Sequence, residues 1–176
     1  MANERRHLVM EWYESYYDDV YRFILYMLGD KQLCEDFVHD TFVRAYTAVE
    51  RFDQRSSVKT WLFSIARHLV LDEIRKRKRR KLFPFEKEIP SSINVEQLFE
   101  HKEAMLELMS DIQKLKPNYR MVIILKMVED CSTKEISDIL DWSEAKVRKT
   151  LSRAMHSLRK MSRMEEGGGR IEQTYR

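Results

Sequence analysis

The clearest candidates for chemistry in this sequence are positively charged side chains that cluster in two segments. Residues 66–81 contain eight Lys or Arg against two acids, and residues 143–163 contain seven against one. Because the whole chain has a net charge of only +3, everything outside these segments carries a net charge of −9. Ordinary exposed helices mix the two signs, so segments of one sign indicate a bound polyanion. Two such segments suggest one polyanion that is held at two places.

The second cationic segment follows a short break between two helical patterns. The first pattern ends at Leu140, and Asp141 follows as a residue that tolerates the left-handed conformation of a helix end. Ser143 then suits the N-cap of a new helix, and Glu144 suits its positive end. Two helices joined by so short a turn must cross steeply, which is the geometry of a helix-turn-helix. The sequence therefore predicts a DNA-binding element here.

The new helix has two distinct faces. Its apolar side chains recur at helical spacing and form one stripe, while cations occupy the opposite face. The stripe consists of Val147, Leu151, Ala154 and Leu158, and the opposite face presents Lys149, Arg153, His156 and Lys160, flanked by Arg148, Ser152 and Arg159. A solvated outer face would also be charged, but the near absence of acids favours contact with DNA.

Composition favours a helical protein without a catalytic or metal centre. The chain is 43% hydrophobic and 35% charged, with only four Gly and three Pro, which argues for long helices. No stretch is long and apolar enough to span a membrane, and the N-terminus is too polar for a signal peptide. Cys34 and Cys131 lie far apart without His at ligand spacing, so we expect reduced thiols in a cytoplasmic protein without cofactor or metal. No nucleophile–base pair or Gly-rich phosphate loop points to an enzyme.

The helices that must position the cations can be placed from periodicity. A first helix carries an aromatic and aliphatic stripe and stops at Gly29, with Asp30 as the next cap. A second helix runs from about residue 31 to 50. A third begins near Trp61 and ends in the first cationic segment. The inward residues of the three helices are expected to be Trp12, Tyr16, Val20, Phe23 and Met27; Leu33, Phe37, Thr41, Phe42, Ala45 and Val49; and Trp61, Ile65, Leu69 and Ile74.

The outer side of the second helix forms an acidic strip with an apolar edge. It presents Glu35, Asp36, His39, Asp40 and Val43. A solvated face and a docking surface for a basic partner are both compatible with this strip.

The chain is expected to divide into two helical domains. Residues 82–94 contain two prolines and paired serines without an amphipathic period, which is typical of a linker. Helical periodicity returns over 95–115, and Pro117 suits the first position of a further helix. The predicted fold is therefore all-α, with one domain at 1–81, a flexible linker at 82–94, a helix-turn-helix domain at 95–164 and a disordered tail at 165–176.

Three longer stretches together resemble bacterial RNA polymerase sigma factors of the extracytoplasmic-function (ECF) type. "YYDDVYRFILYMLGD" with "EDFVHDTFVRAY" resembles regions 2.1–2.2 of that family, and "FDQRSSVKTWLFSIARHLVLDEIRKRKRR" resembles regions 2.3–2.4. "LKPNYRMVIILKMVEDCSTKEISDILDWSEAKVRKTLSRAMHSLRK" resembles region 4. The resemblance spans roughly residues 11–163, and the order and spacing of the blocks make it far more specific than a lone helix-turn-helix. Among the departures, His39 stands where the family usually has Gln, and Asp141 stands where the turn usually has Gly.

The resemblance implies an alternative sigma factor, which binds core polymerase and directs initiation at promoters. The region 4 helix would read the −35 element through Lys146, Arg148, Lys149, Thr150, Ser152 and Arg153. Recognition and melting of the −10 element would involve Arg51, Lys59, Trp61, Arg67, His68, Asp72 and Arg75, with a pocket for a flipped base at the loop 51–59. Phosphate contacts would come from Lys76, Arg77, Lys78, Arg79 and Arg80. Polymerase contacts would come from Asp36, His39, Asp40, Phe42 and Val43.

The implied partners are core RNA polymerase, through its β′ clamp helices and β flap, and promoter DNA in double-stranded and melted form. The resemblance leaves open whether an anti-sigma factor binds this chain, and no direct membrane insertion is expected. For Trp61, a packing role is favoured over base stacking, because it shares a stripe with Ile65 and Leu69.

Two alternatives remain from the residues themselves. A dimeric helix-turn-helix regulator would explain the second cationic segment. It would not explain the cationic cluster at 75–81 or the acidic strip. An adaptor that binds acidic proteins or RNA would explain the charge but not promoter-directed transcription.

Overall fold

The computed structural model describes the backbone of residues 2–82 and 110–171, and side chains within 3–80 and 110–161. Helices account for nearly all of these residues, and no strand occurs among them, as the all-α prediction required. The helices are α1 (Ala2–Leu28), α2 (Lys31–Ala48), α3 (Val58–Leu82), α4 (Pro117–Ile123), α5 (Thr133–Leu140) and α6 (Glu144–Ile171). A short 3-10 turn covers Val49–Arg51, and a π-helical segment covers Ile124–Val128. None of the described helices has the length and apolar character needed to cross a membrane.

The helix ends follow local chemistry that the sequence predicted. Gly29 adopts a positive φ of 65° after α1, and the side chain of Asp30 accepts a hydrogen bond from the Leu33 N–H at the start of α2. Ser143 Oγ likewise accepts a hydrogen bond from the Lys146 N–H. Pro117 occupies the first turn of α4, where its missing N–H is tolerated. Each of these ends was predicted from sequence, because capping depends on neighbouring residues alone.

Helices α1, α2 and α3 pack into one bundle. Phe23 and Met27 of α1 are fully buried, and the Phe23 ring lies 5.2 Å from the ring of Phe63 in α3. The expected inward side of α3 is wrong in detail: its buried residues are Leu62, Phe63, Ala66, Leu69 and Val70, whereas Trp61, Ile65 and Ile74 are only partly buried. The helix is covered on more than one side, so a single stripe does not describe it.

A similar correction applies to α2. Thr41, Phe42 and Ala45 are buried as predicted, but Cys34 and Val38 are also buried. Leu33, Phe37 and Val49 lie at the edge of the core instead. Burial raises the pKa of the Cys34 thiol to about 12, so this thiol is unreactive at neutral pH.

The second bundle is formed by α4, the π-helical segment, α5 and α6. Ile123, Ile124 and Leu125 are buried in its centre, while Val147 and Ala154 of α6 face them from the predicted stripe. α6 extends to Ile171, so the predicted disordered tail at 165–176 begins inside this helix. The predicted linker at 82–94 lies almost entirely outside the described residues, as does most of the predicted helix at 95–115.

The two bundles are not separate bodies. α5 packs along α3, and the π-helical segment and α4 both contact α1. One continuous hydrophobic core includes residues of both bundles. The sequence predicted two domains on a linker, but it gave no indication that they dock against each other.

The turn between α5 and α6 carries a measurable strain. Asp141 adopts φ 53° and ψ 47°, the left-handed region, which costs roughly 1–2 kcal/mol for a residue with a Cβ. We expect Asp141→Gly to leave the free energy of unfolding equal or raised by up to about 1 kcal/mol, whereas Asp141→Val should lower it by about 1–2 kcal/mol. Urea denaturation of the two variants measures this difference. If the Gly and Val variants had the same free energy of unfolding, the backbone at Asp141 would not be strained.

Candidate functional site

The outer face of α6 is open to solvent and cationic. Of the six residues predicted to contact the −35 element, five are exposed and Thr150 is partly buried. Arg148 donates to the Glu144 carboxylate at 3.1 Å, an exposed pair that water and salt weaken and DNA can displace. The Lys146 ammonium lies 4.0 Å from the centre of the Trp142 ring, so the turn residue holds this cation at the start of the helix. The face therefore presents several cationic hydrogen-bond donors to solvent.

The C-terminal half of α3 presents the other cationic surface. His68, Asp72 and Arg75 are exposed, and Arg75 donates to Asp72 at 3.0 Å within the same helix. Lys76, Lys78, Arg79 and Arg80 are exposed as well. This surface has the charge and accessibility required for phosphate contacts.

Arg77 differs from the prediction that it contacts phosphates. Its guanidinium donates to the carboxylates of Glu73 and Asp30 at 3.1 and 3.2 Å, and to the Leu28 carbonyl at 3.1 Å. It therefore ties the end of α1 to α3. The sequence could not separate it from its cationic neighbours, because only the packing decides which cation turns inward.

Trp61 has a packing role, as the sequence favoured. Its ring lies 4.9 Å from the Phe52 ring and 5.7 Å from the Trp12 ring. This aromatic group joins the start of α3 to α1 and to the loop that follows α2. The Trp61 ring meets the Trp12 ring edge-to-face and is tilted by 34° to the Phe52 ring, so these contacts fix it within the packed aromatic group.

A cavity of about 440 Å³ lies beside this aromatic group. Its apolar side chains come from α1, from the 3-10 turn and Phe52 after α2, and from the first residue of α3, while its polar rim comes from the loop before α3. The lining residues are Leu8, Trp12, Val49, Phe52, Gln54, Ser56, Ser57 and Val58. It is open to solvent, and its volume is within the range of about 300–1,000 Å³ seen for ligand pockets. The loop at 51–59, where a pocket for a flipped base was predicted, contributes to the lining, and so does Leu8 of α1, which the sequence did not suggest.

Two of the cations predicted to contact the −10 element are only partly exposed. Lys59 is only 29% exposed at its side chain, and Arg67 is half-buried with a shielded Nε that makes no hydrogen bond within the described residues. Burial lowers the pKa of Arg67, and the nearby carboxylate of Asp141 partly offsets this effect. Asp141 belongs to the helix-turn-helix, so the second bundle lies against this part of α3.

An ion cluster around one buried carboxylate, which sequence reasoning missed, joins the bundles at this contact. It consists of Asp19 and Arg22 of α1, Lys59 of α3 and Glu129 after the π-helical segment. The Glu129 side chain is fully buried, and Arg22 donates to both of its oxygens at 2.8 and 2.9 Å. The Lys59 ammonium lies 3.3 Å from carboxylate oxygens of both Glu129 and Asp19. Nothing in the local sequence around Glu129 marks it as a partner of Arg22, 107 positions earlier.

The cluster favours the charged forms of its two cations. Burial lowers the pKa of Lys59, but the carboxylates of Asp19 and Glu129 outweigh burial, so the pKa is raised overall. The hydrogen bond from Arg22 to Glu129 likewise raises the pKa of Arg22. Both cations of the cluster therefore stay charged at neutral pH.

The acidic strip of α2 is exposed as predicted. Asp36, His39, Asp40 and Val43 all face solvent. Phe42 was predicted to contact the polymerase, but it does not belong to this exposed strip. It is 5% exposed, and the centre of its ring lies 4.9 Å from that of the Tyr13 ring. The apolar surface beside the strip comes instead from Val43 and Tyr46, which are 47% and 41% exposed. Among the described residues, no cluster of three or more His, Cys, Asp or Glu could hold a metal ion.

Comparison with known proteins agrees with this geometry. The Sigma-70 region 2 family matches residues 12–80, and the Sigma-70, region 4 family matches residues 105–158. The chain is 36% identical over 152 residues to the ECF RNA polymerase sigma factor SigM of Bacillus subtilis, a match that covers 85% of this chain and 91% of SigM. It is 33% identical over 155 residues to SigX of the same organism, covering 84% of this chain and 80% of SigX.

Solved structures show the same fold. The sigma factor RpoE of Bartonella quintana, solved in complex with the anti-sigma factor NepR, superposes with a TM-score of 0.74 at 21% identity, covering 88% of this chain and 96% of RpoE. CnrH in complex with the cytosolic domain of CnrY gives a TM-score of 0.68. The chain contains both sigma regions in the order found in the family, and it matches its relatives over most of their length. It therefore belongs to the ECF RNA polymerase sigma factors, which are alternative sigma factors that direct transcription initiation at promoters.

Proposed function

We propose that the sigma activity of this chain is divided between the outer face of α6, the cationic half of α3 with its neighbouring cavity, and the acidic strip of α2. The observation that carries this division is the separation of charge: two cationic surfaces and one acidic surface lie on different helices. The residues act by binding alone, and nucleotide chemistry belongs to the polymerase. Membership in the sigma family does not favour a dimeric operator-binding regulator.

The outer face of α6 would enter the major groove at the −35 element. An α-helix fits this groove, and Arg can donate two hydrogen bonds to a guanine edge, which discriminates by about 1–3 kcal/mol. Arg148 and Arg153 are both exposed on this face. Lys146, Lys149, Thr150 and Ser152 would add phosphate and base contacts beside them.

The cavity beside Trp61 would hold an unpaired base of the −10 element. A flipped base needs a wall for stacking and polar groups for its hydrogen-bonding edge. The Phe52 and Trp12 rings supply the wall, and the side chains of Gln54 and Ser56 line the rim. His68, Asp72 and Arg75 would contact the promoter further along α3, while the cations from Lys76 to Arg80, except Arg77, would hold phosphates.

The acidic strip would dock on the basic surface of the polymerase clamp. Complementary charge sets the rate and register of docking, whereas apolar contacts supply most of the free energy. The strip offers both, because Val43 and Tyr46 lie beside Asp36 and Asp40. Docking on polymerase also places the chain in the cytoplasm, which stays a prediction.

An anti-sigma factor is a further proposed partner. RpoE and CnrH, which share the fold, were each solved with a protein that binds them, and RpoE's partner is an anti-sigma factor. This chain has the same two sigma regions, so such a protein would find comparable surfaces here.

Charge reversal on the acidic strip tests the proposed docking. We expect Asp36→Lys with Asp40→Lys to weaken binding to core polymerase at least tenfold, because two attractive contacts become repulsive. Fluorescence anisotropy of the labelled chain, titrated with core enzyme at physiological salt, measures the affinity. Glu14→Lys with Asp18→Lys, which reverses two exposed acids four positions apart on α1, is the matched control and should bind within about twofold of the parent chain. If the reversal on α2 binds as tightly as this control, α2 is not the docking surface.

A further inference from the structure

The turn between α5 and α6 fixes one aromatic residue by both of its backbone groups. The Trp142 N–H donates to the Ser137 carbonyl at 3.1 Å, and the Trp142 carbonyl accepts a hydrogen bond from Ser137 Oγ. The Trp142 side chain is partly buried and packs against the hydrophobic core. A firmly held aromatic ring therefore lies at the entry to the helix that is proposed to read the −35 element.

This ring holds a cation that has no counter-ion of its own. The Lys146 ammonium lies 4.0 Å from the centre of the Trp142 ring, well within the distance of about 6 Å over which a ring face attracts a cation. Glu144, the nearest acid along the chain, pairs with Arg148 instead, at 3.1 Å. Among residues 3–80 and 110–161, no carboxylate forms an ion pair with Lys146. The ring thus directs the Lys146 charge without neutralising it.

Helix stability does not account for a held cation at this position. Lys146 lies in the first turn of α6, where its N–H donates to Ser143 Oγ at 3.2 Å. The first turn of a helix carries partial positive charge, so a cation there is unfavourable, whereas an acid such as Glu144 is favourable. Holding a long Lys side chain in one place also costs rotamer entropy. The arrangement is better explained by an anion that approaches from outside the chain.

The direction of the Lys146 side chain indicates which anion this is. In a helix-turn-helix, the first helix crosses the DNA backbone while the second enters the major groove. The turn between the two helices therefore lies near the backbone. Because Trp142 belongs to this turn, it draws the Lys146 ammonium back toward the backbone and away from the base edges. The anion within reach is a phosphate of the DNA.

We propose that Trp142 is a positioning residue for promoter binding, whose ring holds the Lys146 ammonium where it meets a backbone phosphate at the −35 element. Such a contact adds affinity without reading sequence, because every base pair carries the same phosphates. A side chain that is held before binding also loses less freedom on binding. The inference rests on the proposed role of α6. It deepens that role by giving Trp142 a part and by separating Lys146 from the residues that read bases.

Nuclear magnetic resonance of the free chain tests whether the ring holds the cation. An aromatic ring moves the resonances of protons above its face upfield, so the ε-methylene protons of Lys146 should lie upfield of those of Lys149. Lys149 is the matched reference, because it is an exposed Lys on the same helix and lies over no ring among the described residues. Trp142→Leu should abolish the upfield shift, and Trp142→Phe should keep it. Coincident Lys146 and Lys149 resonances in the parent chain would overturn the positioning.

Binding of the polymerase complex to DNA tests the phosphate contact. The probe is a fluorescent duplex that carries the −35 element of a promoter transcribed by the parent chain. We expect Lys146→Met to weaken binding at least about threefold, and to lower the slope of log affinity against log salt by about 1, as for one lost phosphate contact. The same factor should apply to a duplex without the −35 element. Lys146 is exposed, so its truncation leaves the core intact. An unchanged affinity and slope would refute the phosphate contact.

A double-mutant cycle shows whether Trp142 acts through Lys146. Trp142→Leu alone should weaken binding about two- to fivefold, because the cation must then be ordered on binding, while Trp142→Phe should stay within about twofold of the parent chain. In the Lys146→Met background, Trp142→Leu should change the affinity by less than about 1.5-fold, since no cation remains to be held. An equal loss with and without Lys146 would mean that the ring acts on DNA or on the fold directly, and the proposal would be wrong.

The same cycle with Lys149→Met is the matched control. Lys149 has the same charge and lies on the same helix, so the effects of Lys149→Met and Trp142→Leu should multiply without coupling. Coupling as large as that of Lys146 would remove the special relation between Trp142 and Lys146. If the parent complex does not prefer the duplex with the −35 element, the proposed role of α6 fails, and the phosphate contact fails with it. The resonance measurement on the free chain separately decides whether Trp142 positions Lys146.

Discussion

Replacing Arg148 and Arg153 together by Ala should lower transcription from a promoter with an intact −35 element by about tenfold to a hundredfold. Each Arg can supply a bidentate contact to guanine or a charged contact to phosphate, and a good bidentate contact is worth about 1–3 kcal/mol. Both side chains are exposed on one face of α6, so truncation removes contacts without opening the core. Run-off transcription with core polymerase measures the effect, on matched templates with and without the −35 element.

The control for this experiment is Arg159→Ala, an exposed cation nearer the C-terminal end of the same helix. It should reduce transcription by less than about threefold, because a distant cation adds only general attraction to the phosphate backbone. The double variant should also lose its preference for the template with the −35 element. Transcription by the double variant equal to that of Arg159→Ala would contradict the proposed recognition face.

Phe63→Ala should lower the free energy of unfolding by about 3–5 kcal/mol. Phe63 is fully buried and lies against Phe23, so truncation removes apolar contacts and leaves a cavity that α1 and α3 cannot close. A domain of this size has a free energy of unfolding of about 5–15 kcal/mol, so the variant would lose much of its stability. Urea denaturation followed by circular dichroism at 222 nm, where helices give a strong negative signal, measures the change.

Tyr46→Ala is the matched aromatic truncation at the surface of α2. Tyr46 is 41% exposed, and its loss should cost less than about 1 kcal/mol. A loss of similar size in the two variants would mean that Phe63 is not central to the core. Because α3 carries the proposed −10 surface, Phe63→Ala should also reduce transcription at temperatures where the parent chain remains folded.

The positions of the helix ends and the charged faces could be predicted from the sequence, because both depend on residues close together in the chain. Asp30, Pro117 and Ser143 act on the backbone within one turn of themselves. The outer face of α6 follows from a period of 3.6 residues, and its cations are exposed as that period requires. Resemblance to a known family supplied the assignment to sigma regions, which composition and spacing alone did not give.

Side chains that could face either inward or outward were harder to assign. Phe42 was assigned both to the core and to the docking surface, and the structure buries it. Arg77 was grouped with four neighbouring cations, yet it binds the end of α1. In α3 the period alone could not select the inward residues, because the helix is packed on more than one side.

What the sequence by itself determined is therefore an all-α chain with cationic and acidic faces on separate helices. What only the tertiary structure decided is that the two bundles share one core and meet at Glu129, whose carboxylate lies 2.8 Å from an Arg22 atom that is 107 positions away in sequence. The physical reason is that capping and periodicity act over a few residues. An ion pair between distant segments exists only once packing has brought them together and removed the water between them.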